Sequence, residues 1–366
     1  MNIPFFDYKK IYLSNKNLFN KKFISLSTKG AFIMQKELEI FEKNICKFTK
    51  IKYCLGVANA TDALELLLIA ADIKKSDEVI FCSHTMIATA SAIKSCGATP
   101  VPIDCDEDHL IDINKLSRAI SKNTKALIVT QLNGRVANMD KILSIVKKYK
   151  LKLLEDSAQA LGAKFKSKSA GSFGLGGCIS FYPAKILGCF GDGGAVITNS
   201  KNIYEKIKIL RDHGRSKDGE VISWGRNSRL DNIQAGILNV SIKSLRNIIN
   251  KRRLLAKMYF KYLKSNPFIK LPPKPNNKQH FDTFQNFEIE AKDRDSLRKY
   301  LLSNRIGTIL QWGGKAVHEF SKLGFRQKLN FTEKVMRSSL FLPMNPFLTK
   351  MNIKFICTKI NKFYDL

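Results

Sequence analysis

Short apolar runs alternate with helical stretches up to residue 199, and this alternation limits the fold more than any other feature. The runs are DEVIFCS, TPVPIDC, TKALIVTQ, KLKLLEDSA, GCISFY and GGAVITN. Between several of them lie amphipathic stretches such as ATDALELLLIAADI and MDKILSIVKKYK. Strand, helix and strand in succession predict an α/β fold with a mostly parallel sheet covered on both faces. Sites in such sheets lie at the carboxyl ends of the strands.

The pattern changes after about residue 240, which predicts a second, smaller domain. A long basic amphipathic helix is expected over residues 237–265, followed by the proline-rich segment 266–277. Beyond it we expect a strand in TFQNFEIEA, a helix in DRDSLRKYLLSNR and a closing helix in NIKFICTKINKFYDL. We place a large domain at residues 1–245 and a small α+β domain at residues 246–366.

The composition is that of a globular protein and excludes several function classes. With 44% hydrophobic and 25% charged residues, a chain of 366 residues can bury a large core. No apolar run reaches the roughly 18 residues of a membrane span, so we expect a cytoplasmic protein. The 8 cysteines show no metal-ligand spacing and are expected to be reduced, without a metal site. The formal charge of +31 is diffuse, which favours a solvated surface over a nucleic-acid partner and still attracts anionic substrates.

One lysine stands out because of its surroundings. In GGCISFYPAKILGCFGDGGAVITN, residues 176–199, Lys185 lies within an apolar segment bracketed by glycines. A buried ammonium must be paired, neutralised or bonded, since an isolated charge in a low dielectric is costly. A covalent bond to a carbonyl cofactor is one answer.

Other segments offer groups that fit a site at the strand ends. Ala60 and Thr61 begin a helix whose free N–H groups can bind an anion, although Thr61 is also a suitable N-cap. Asp156 ends an apolar strand and either faces a ligand or caps the next turn. Gln159, three residues later, returns to the same side. The glycines of GSFGLGG and CFGDGG lack the order of a dinucleotide motif and indicate turns.

Over essentially its whole length the chain resembles the pyridoxal-phosphate-dependent nucleotide-sugar aminotransferases, the DegT or StrS family. The motifs that carry the resemblance are NATDAL, SHTMIATASAI, NMDKI, LLEDSAQALGA, GSFG, SFYPAK, GDGGAVITN, RDHGR, NSRLDNIQAGIL and LPMNPFLT. The resemblance implies a fold-type-I homodimer with a seven-stranded, mostly parallel sheet in the large domain. It also implies active sites shared between the two subunits.

The resemblance assigns cofactor roles to residues of this chain. Lys185 would bind pyridoxal 5'-phosphate covalently and move the proton, and Asp156 would keep the pyridine nitrogen protonated. Gln159 would lie against the ring near its phenolic oxygen. The phosphate would be held by Ala60, Thr61 and Ser180, together with Asn227 of the partner subunit.

Residues expected beside the cofactor ring and the substrate depart from the family pattern. Met86 stands where the family stacks an aromatic ring on the cofactor, and Asn133 and Asn138 lie in a segment that usually carries tyrosine and glycine. Further substrate contacts are expected from four residues, each of which is also explained by packing or an ion pair: His84, Arg229, Trp312 and His318. These differences leave the identity of the sugar open.

The expected function is therefore transfer of an amino group from an amino acid, L-glutamate by resemblance, to a nucleotide-linked keto-deoxysugar for polysaccharide or glycan synthesis. Two alternatives remain. A sugar dehydratase on the same scaffold would carry histidine in place of Lys185. A non-catalytic regulatory or binding protein would show no amino transfer.

Overall fold

The computed structural model describes residues 1–275 and 278–366, so the end of the proline-rich segment, residues 276–277, lies outside the described residues. The strands are β1 Tyr53–Val57, β2 Glu78–Cys82, β3 Thr99–Ile103, β4 Thr124–Thr130, β5 Lys152–Asp156, β6 Lys164–Phe165, β7 Lys168–Ser169, β8 Gly176–Ser180, β9 Gly194–Thr198, β10 Ile269–Lys270, β11 His280–Phe281, β12 Phe287–Ala291 and β13 Ser339–Leu342.

The α-helices are α1 Tyr8–Ser14, α2 Lys16–Ser27, α3 Lys36–Thr49, α4 Ala60–Ala70, α5 Ile87–Ser95, α6 Ile113–Ala119, α7 Met139–Lys148, α8 Lys201–Leu210, α9 Asn232–Ser241, α10 Leu245–Leu263, α11 Arg294–Ser303, α12 Asn330–Ser338 and α13 Lys350–Phe363. Short 3₁₀ turns cover Leu132–Gly134, Ile242–Ser244, Gln311–Gly314, Val317–Glu319 and Ser321–Leu323. Among the described residues, no helix combines the length and apolar character needed to cross a membrane.

A seven-stranded sheet forms the centre of the fold, in the order β1-β9-β8-β5-β4-β2-β3. Strands β3, β2, β4, β5 and β8 run parallel to one another, whereas β9 is antiparallel to both β8 and β1. This confirms the expected seven-stranded, mostly parallel sheet. The parallel pairing of β5 with β8 brings the carboxyl ends of the two strands to one edge, where Asp156 and Ser180 lie.

Both faces of this sheet are buried, as a parallel sheet requires. In β2, Val79 and Phe81 enter the core formed with α4 and α5, while Ile80 and Cys82 enter the core on the opposite face. All eight cysteines are free thiols.

A second core lies in the C-terminal part of the chain. Strands β10, β12 and β13 form an antiparallel sheet, and α10 and α13 pack beside it around Tyr259, Phe287 and Ile356. Ile3 belongs to this core, so the N-terminus of the chain contacts the C-terminal part. The division between residues 245 and 246 stays a prediction.

The expectation of one continuous helix over residues 237–265 is wrong. Helix α9 ends at Ser241, a 3₁₀ turn follows, and α10 begins at Leu245. The Ser241 hydroxyl donates to the Ile237 carbonyl at 3.2 Å, and the Ser244 hydroxyl donates to the Ser241 carbonyl at 3.0 Å. Such bonds compete with the helical backbone pattern and favour a local change of pitch.

Candidate active site

A cavity of about 260 Å³ lies at the carboxyl ends of β4, β5 and β8, beside the beginning of α4. It brings together eight of the residues expected at the site: Ala60, Thr61, Met86, Asp156, Gln159, Ser180, Lys185 and Trp312. A larger apolar cavity of about 570 Å³ is also lined by Lys185. Asp156 lines only the smaller of the two, so the smaller cavity holds the amine and the carboxylate together.

Asp156 ends β5, is only 5% exposed and is held by three donors. The Thr89 hydroxyl donates to Oδ2 at 2.7 Å, while the Cys178 thiol and the Ala158 N–H donate to Oδ1 at 3.3 and 3.2 Å. The carboxylate therefore caps the following turn and faces the cavity as well. Its orientation is fixed before any ligand enters.

Lys185 follows β8 on a tight turn, in which its N–H donates to the Tyr182 carbonyl at 2.8 Å. Burial lowers the pKa of the Lys185 amine, and the opposing effect of the Asp156 carboxylate does not restore it. A lysine with a lowered pKa has a larger neutral fraction near physiological pH, which is the form that attacks a carbonyl carbon.

The beginning of α4 forms the opposite wall. Asn59 caps the helix, with its Oδ1 accepting from the Asp62 N–H at 2.8 Å, and Ala60 and Thr61 line the cavity. A helix N-terminus offers unpaired N–H groups and a positive dipole end, so it favours an anion. Ser180, 9% exposed, adds a hydroxyl to the same cavity.

Gln159 is fixed by two donors. Its Oε1 accepts from the Asn133 N–H at 3.1 Å and from Asn286 Nδ2 at 3.2 Å. Met86 is 47% exposed at the cavity wall, and its sulfur accepts from the Ala88 N–H at 3.3 Å.

Three predicted substrate residues lie outside this cavity. His84 is 1% exposed and contacts the His109 carbonyl at 3.0 Å through Nδ1. His318 Nδ1 lies 2.7 Å from the Ser83 hydroxyl, and Arg229 forms an ion pair with Asp212 at 2.8 Å. Their present contacts are those of packed or ion-paired side chains, and a substrate role for them stays a prediction. The Trp312 ring packs edge-on against His84 while lining the cavity.

Asn227 also lies outside the cavity of its own chain. It is exposed and pairs with Asp212 in an isolated antiparallel bridge. Its assignment to the site of a partner subunit stays a prediction.

A buried polar cluster behind the cavity was not predicted from the sequence. His109 contacts Glu288 through Nδ1 and Glu290 through Nε2, each at 3.0 Å, and Asn133 Nδ2 donates to Glu288 at 2.7 Å. Burial alone would lower the pKa of His109, but the two carboxylates raise it to about 10. Ligand atoms of His84, His109 and Glu288 lie within 4.8 Å of one another. Hydrogen bonds to Glu288 and Glu290 hold His109, and His84 Nε2 lies 3.5 Å from Glu288 Oε1.

The comparison with known proteins decides the family. Residues 14–361 match the model of the DegT/DnrJ/EryC1/StrS aminotransferase family. The chain belongs to this family. It is accordingly an aminotransferase that uses pyridoxal 5'-phosphate.

Relatives match the chain over nearly its full length. It is 35% identical to the dTDP-3-amino-3,6-dideoxy-alpha-D-galactopyranose transaminase of Aneurinibacillus thermoaerophilus, covering 99% of each chain. It is 33% identical to the pleiotropic regulatory protein of Geobacillus stearothermophilus, covering 100% of this chain and 99% of the other. The crystal structure of S. venezuelae DesV superposes with a TM-score of 0.96 at 31% identity, covering 100% of this chain and 99% of DesV.

The groups that line the cavity fit this cofactor. Lys185 would supply an amine for its carbonyl carbon, Asp156 an anion for its pyridine nitrogen, and the beginning of α4 with Ser180 donors for its phosphate. The residues that line the cavity are therefore suited to the cofactor that the family uses.

Proposed function

We propose that this aminotransferase moves an amino group from an amino acid, L-glutamate, to the keto group of a nucleotide-diphosphate-linked deoxysugar, in the synthesis of a polysaccharide or glycan. The observation that carries the proposal is the shared cavity of Lys185 and Asp156 in a chain that is 35% identical to a dTDP-sugar transaminase. The net charge of +31 favours encounter with a diphosphate.

Lys185 has two tasks in this proposal. Bound pyridoxal phosphate supplies a reactive carbonyl carbon and an electron-withdrawing ring. The Lys185 amine would hold that carbon, and once released by an amino substrate it would accept a proton and return it as general base and acid. The lowered pKa of Lys185 suits both tasks, because the neutral amine is the nucleophile and the proton acceptor.

Asp156 maintains the electron-withdrawing state of the ring. A carboxylate beside the pyridine nitrogen raises the pKa of that nitrogen and keeps it protonated. The three donors to Asp156 prevent the carboxylate from turning away. Ala60, Thr61 and Ser180 would hold the phosphate at the wall of the cavity.

The proposed assembly is a homodimer with shared active sites. Trp224 is 98% exposed, Val221 67% and Ile222 58%, and these apolar side chains lie within six residues of Asn227. An apolar exposed segment of this kind is typical of a subunit interface. We place the enzyme in the cytoplasm, since eight free thiols suit a reducing compartment.

Screening nucleotide keto-sugars with ¹⁵N-labelled glutamate tests the reaction. The proposal expects a product whose mass shows one labelled amino group, and it expects Lys185→Ala to abolish that product while the circular dichroism spectrum stays unchanged. Borohydride treatment should fix the cofactor on the peptide that contains Lys185. Amino transfer at near wild-type turnover by Lys185→Ala would refute the role of Lys185. Loss of the sugar hydroxyl without amino transfer would instead support the dehydratase alternative.

A further inference from the structure

The side-chain amide of Gln159 is the end of a hydrogen-bonded chain that begins at a buried carboxylate. Glu288 accepts from Asn133 Nδ2 at 2.7 Å, and Asn133 Oδ1 accepts from Asn286 Nδ2 at 2.9 Å. Asn286 Nδ2 also donates to Gln159 Oε1 at 3.2 Å. The Asn133 backbone N–H donates to the same Gln159 oxygen at 3.1 Å. We call these four residues, Glu288, Asn133, Asn286 and Gln159, the amide relay.

The orientation of the relay can be derived from its carboxylate end. An ionised carboxylate only accepts hydrogen bonds, so the Asn133 atom that faces Glu288 must be the NH₂ group. The oxygen of the Asn133 amide then faces Asn286, which must donate. An NH₂ group has two hydrogens, so the same Asn286 nitrogen also donates to Gln159, whose facing atom must be oxygen.

The orientation can be derived independently from the other end. A backbone N–H only donates, so the Gln159 atom that faces the Asn133 N–H must be oxygen. Both ends of the relay therefore identify the Gln159 atom that faces Asn133 and Asn286 as the amide oxygen. An amide whose orientation is normally ambiguous is fixed here by two groups that have no ambiguity.

Glu288 stays ionised because of its surroundings. It is 2% exposed, and burial alone would raise its pKa. The charge of His109 outweighs this effect, and the pKa of Glu288 lies well below its usual range. His109 is in turn held between Glu288 and Glu290, at 3.0 Å from each. A buried, paired carboxylate is a stable starting point for the relay.

Once Gln159 Oε1 is occupied, its Nε2 must face the other side. Gln159 lines the active-site cavity, and Nε2 makes no hydrogen bond with the described residues while keeping accessible surface. We propose that Glu288, Asn133 and Asn286 are positioning residues that hold Gln159 as a hydrogen-bond donor toward an anionic oxygen in the cavity. This inference rests on the proposed role of Gln159 beside the cofactor, whose ring carries a phenolic oxygen.

The proposal predicts a change in the protonation of the bound cofactor. A donor stabilises the ionised phenolic oxygen and lowers its pKa, whereas an acceptor in the same place raises it. In Asn286→Asp a carboxylate faces Gln159 Oε1 in place of the donor, and only the Asn133 N–H still holds that oxygen. The Gln159 amide therefore loses the fixed orientation that keeps Nε2 toward the cavity. We expect the pH midpoint of the visible absorption band of the purified holoenzyme to rise by about 1 unit or more.

A matched control and a double variant test the connection. Glu290→Gln removes the other carboxylate that contacts His109 without touching the relay, and it should leave the midpoint within about 0.3 units of wild type. In Gln159→Leu, addition of Asn286→Asp should no longer move the midpoint, because Asn286 acts through Gln159.

The outcomes are distinguishable. An unchanged midpoint in Asn286→Asp, or an equal shift with and without Gln159, would overturn the relay. A midpoint shift in Glu290→Gln as large as that in Asn286→Asp would also overturn it, since the effect would then come from general electrostatics. If wild-type protein supplied with pyridoxal phosphate shows no visible band, the proposed function and the relay that rests on it both fail. Should Asn286→Asp fail to fold, Asn286→Leu carries the same test, because it also removes the side-chain donor to Gln159 Oε1.

Discussion

A methyl group at Gly194 should weaken cofactor binding. Gly194 begins β9, between Val57 of β1 and Ser180 of β8. A Cβ at this position would lie 2.4 Å from the backbone carbon of Asn59 and 2.7 Å from the nitrogen of Ala60. Both atoms belong to the beginning of α4, so no side chain can rotate away. The conflict in Gly194→Ala is therefore between β9 and the anion-binding end of the helix.

The magnitude follows from these distances. Ordinary contact begins at 3.4 Å, so relief of a 2.4 Å contact requires the beginning of α4 to move by about 1 Å. Overpacking of this kind costs about 1–3 kcal/mol. A displacement of the donors at Ala60 and Thr61 lengthens their bonds to a phosphate by a similar distance. Since each 1.4 kcal/mol is about tenfold in affinity, we expect the Kd for pyridoxal phosphate to rise by about tenfold or more.

Titration of cofactor-free protein with pyridoxal phosphate, followed by absorbance, measures this Kd. Gly324→Ala is the control, because Gly324 has a φ of +78° and no heavy atom near the added methyl group. Its strain costs about 1–2 kcal/mol away from the cavity. A Kd for Gly194→Ala within twofold of wild type would refute the reasoning. Equal weakening in both variants would refute it as well, because the loss would then reflect stability alone.

Three further predictions concern charged groups. Arg211 is 5% exposed and donates to Glu42 at 2.7 Å. Loss of this partner in Glu42→Ala should lower the free energy of unfolding by about 3 kcal/mol, measured by urea denaturation. Addition of Arg211→Met to this variant should recover part of the lost stability, because it removes the unpaired charge. Lys185→Met should raise the Tm of cofactor-free protein by roughly 1–3 °C at pH 7, because burial of the charged amine destabilises the wild-type fold at this pH. The gain should vanish as the pH rises to about 10.5, where the amine also loses its charge in the unfolded chain. The pKa of His109 is raised to about 10, so its ion pairs stabilise the fold fully below pH 6.5 and are lost as the pH rises through 10. In calorimetry at pH 7, His109→Gln should therefore be less stable than wild type. A stability difference that stays constant up to pH 10 would contradict this.

Much of the main sheet could be predicted from local patterns. Six apolar runs correspond to β2, β3, β4, β5, β8 and β9. All of these strands except the edge strand β3 are buried along almost their whole length and so carry a continuous apolar stretch. Strand β1, YCLGV, was not predicted. Gly56 is required there because a Cβ would lie 2.6 Å from the Leu38 side chain. This reason is visible only when the helix and the strand are packed together.

The position of the cavity at the strand ends was also predictable, whereas the surroundings of the expected substrate residues were not. Lys185 and Asp156 belong to short motifs that follow strands, and parallel pairing brings both to one edge. His84 and His318 were expected to face the substrate, but their hydrogen bonds are with His109 and Ser83. The residue type is the same in both settings, so only the position of the partner distinguishes a packed histidine from a ligand contact.

The relay shows why a local pattern misleads at this point. FEIEA alternates apolar and acidic residues, as a strand with one solvated face does. Phe287 and Ile289 do enter the C-terminal core, yet Glu288 is 2% exposed. Its partners His109 and Asn133 lie 179 and 155 residues away in the sequence. Asn286 directly precedes β12 and Glu288 lies within it, so displacement of this strand would move two members of the amide relay together. The relay therefore connects the C-terminal sheet with Gln159 in the cavity, which the alternation within five residues cannot reveal.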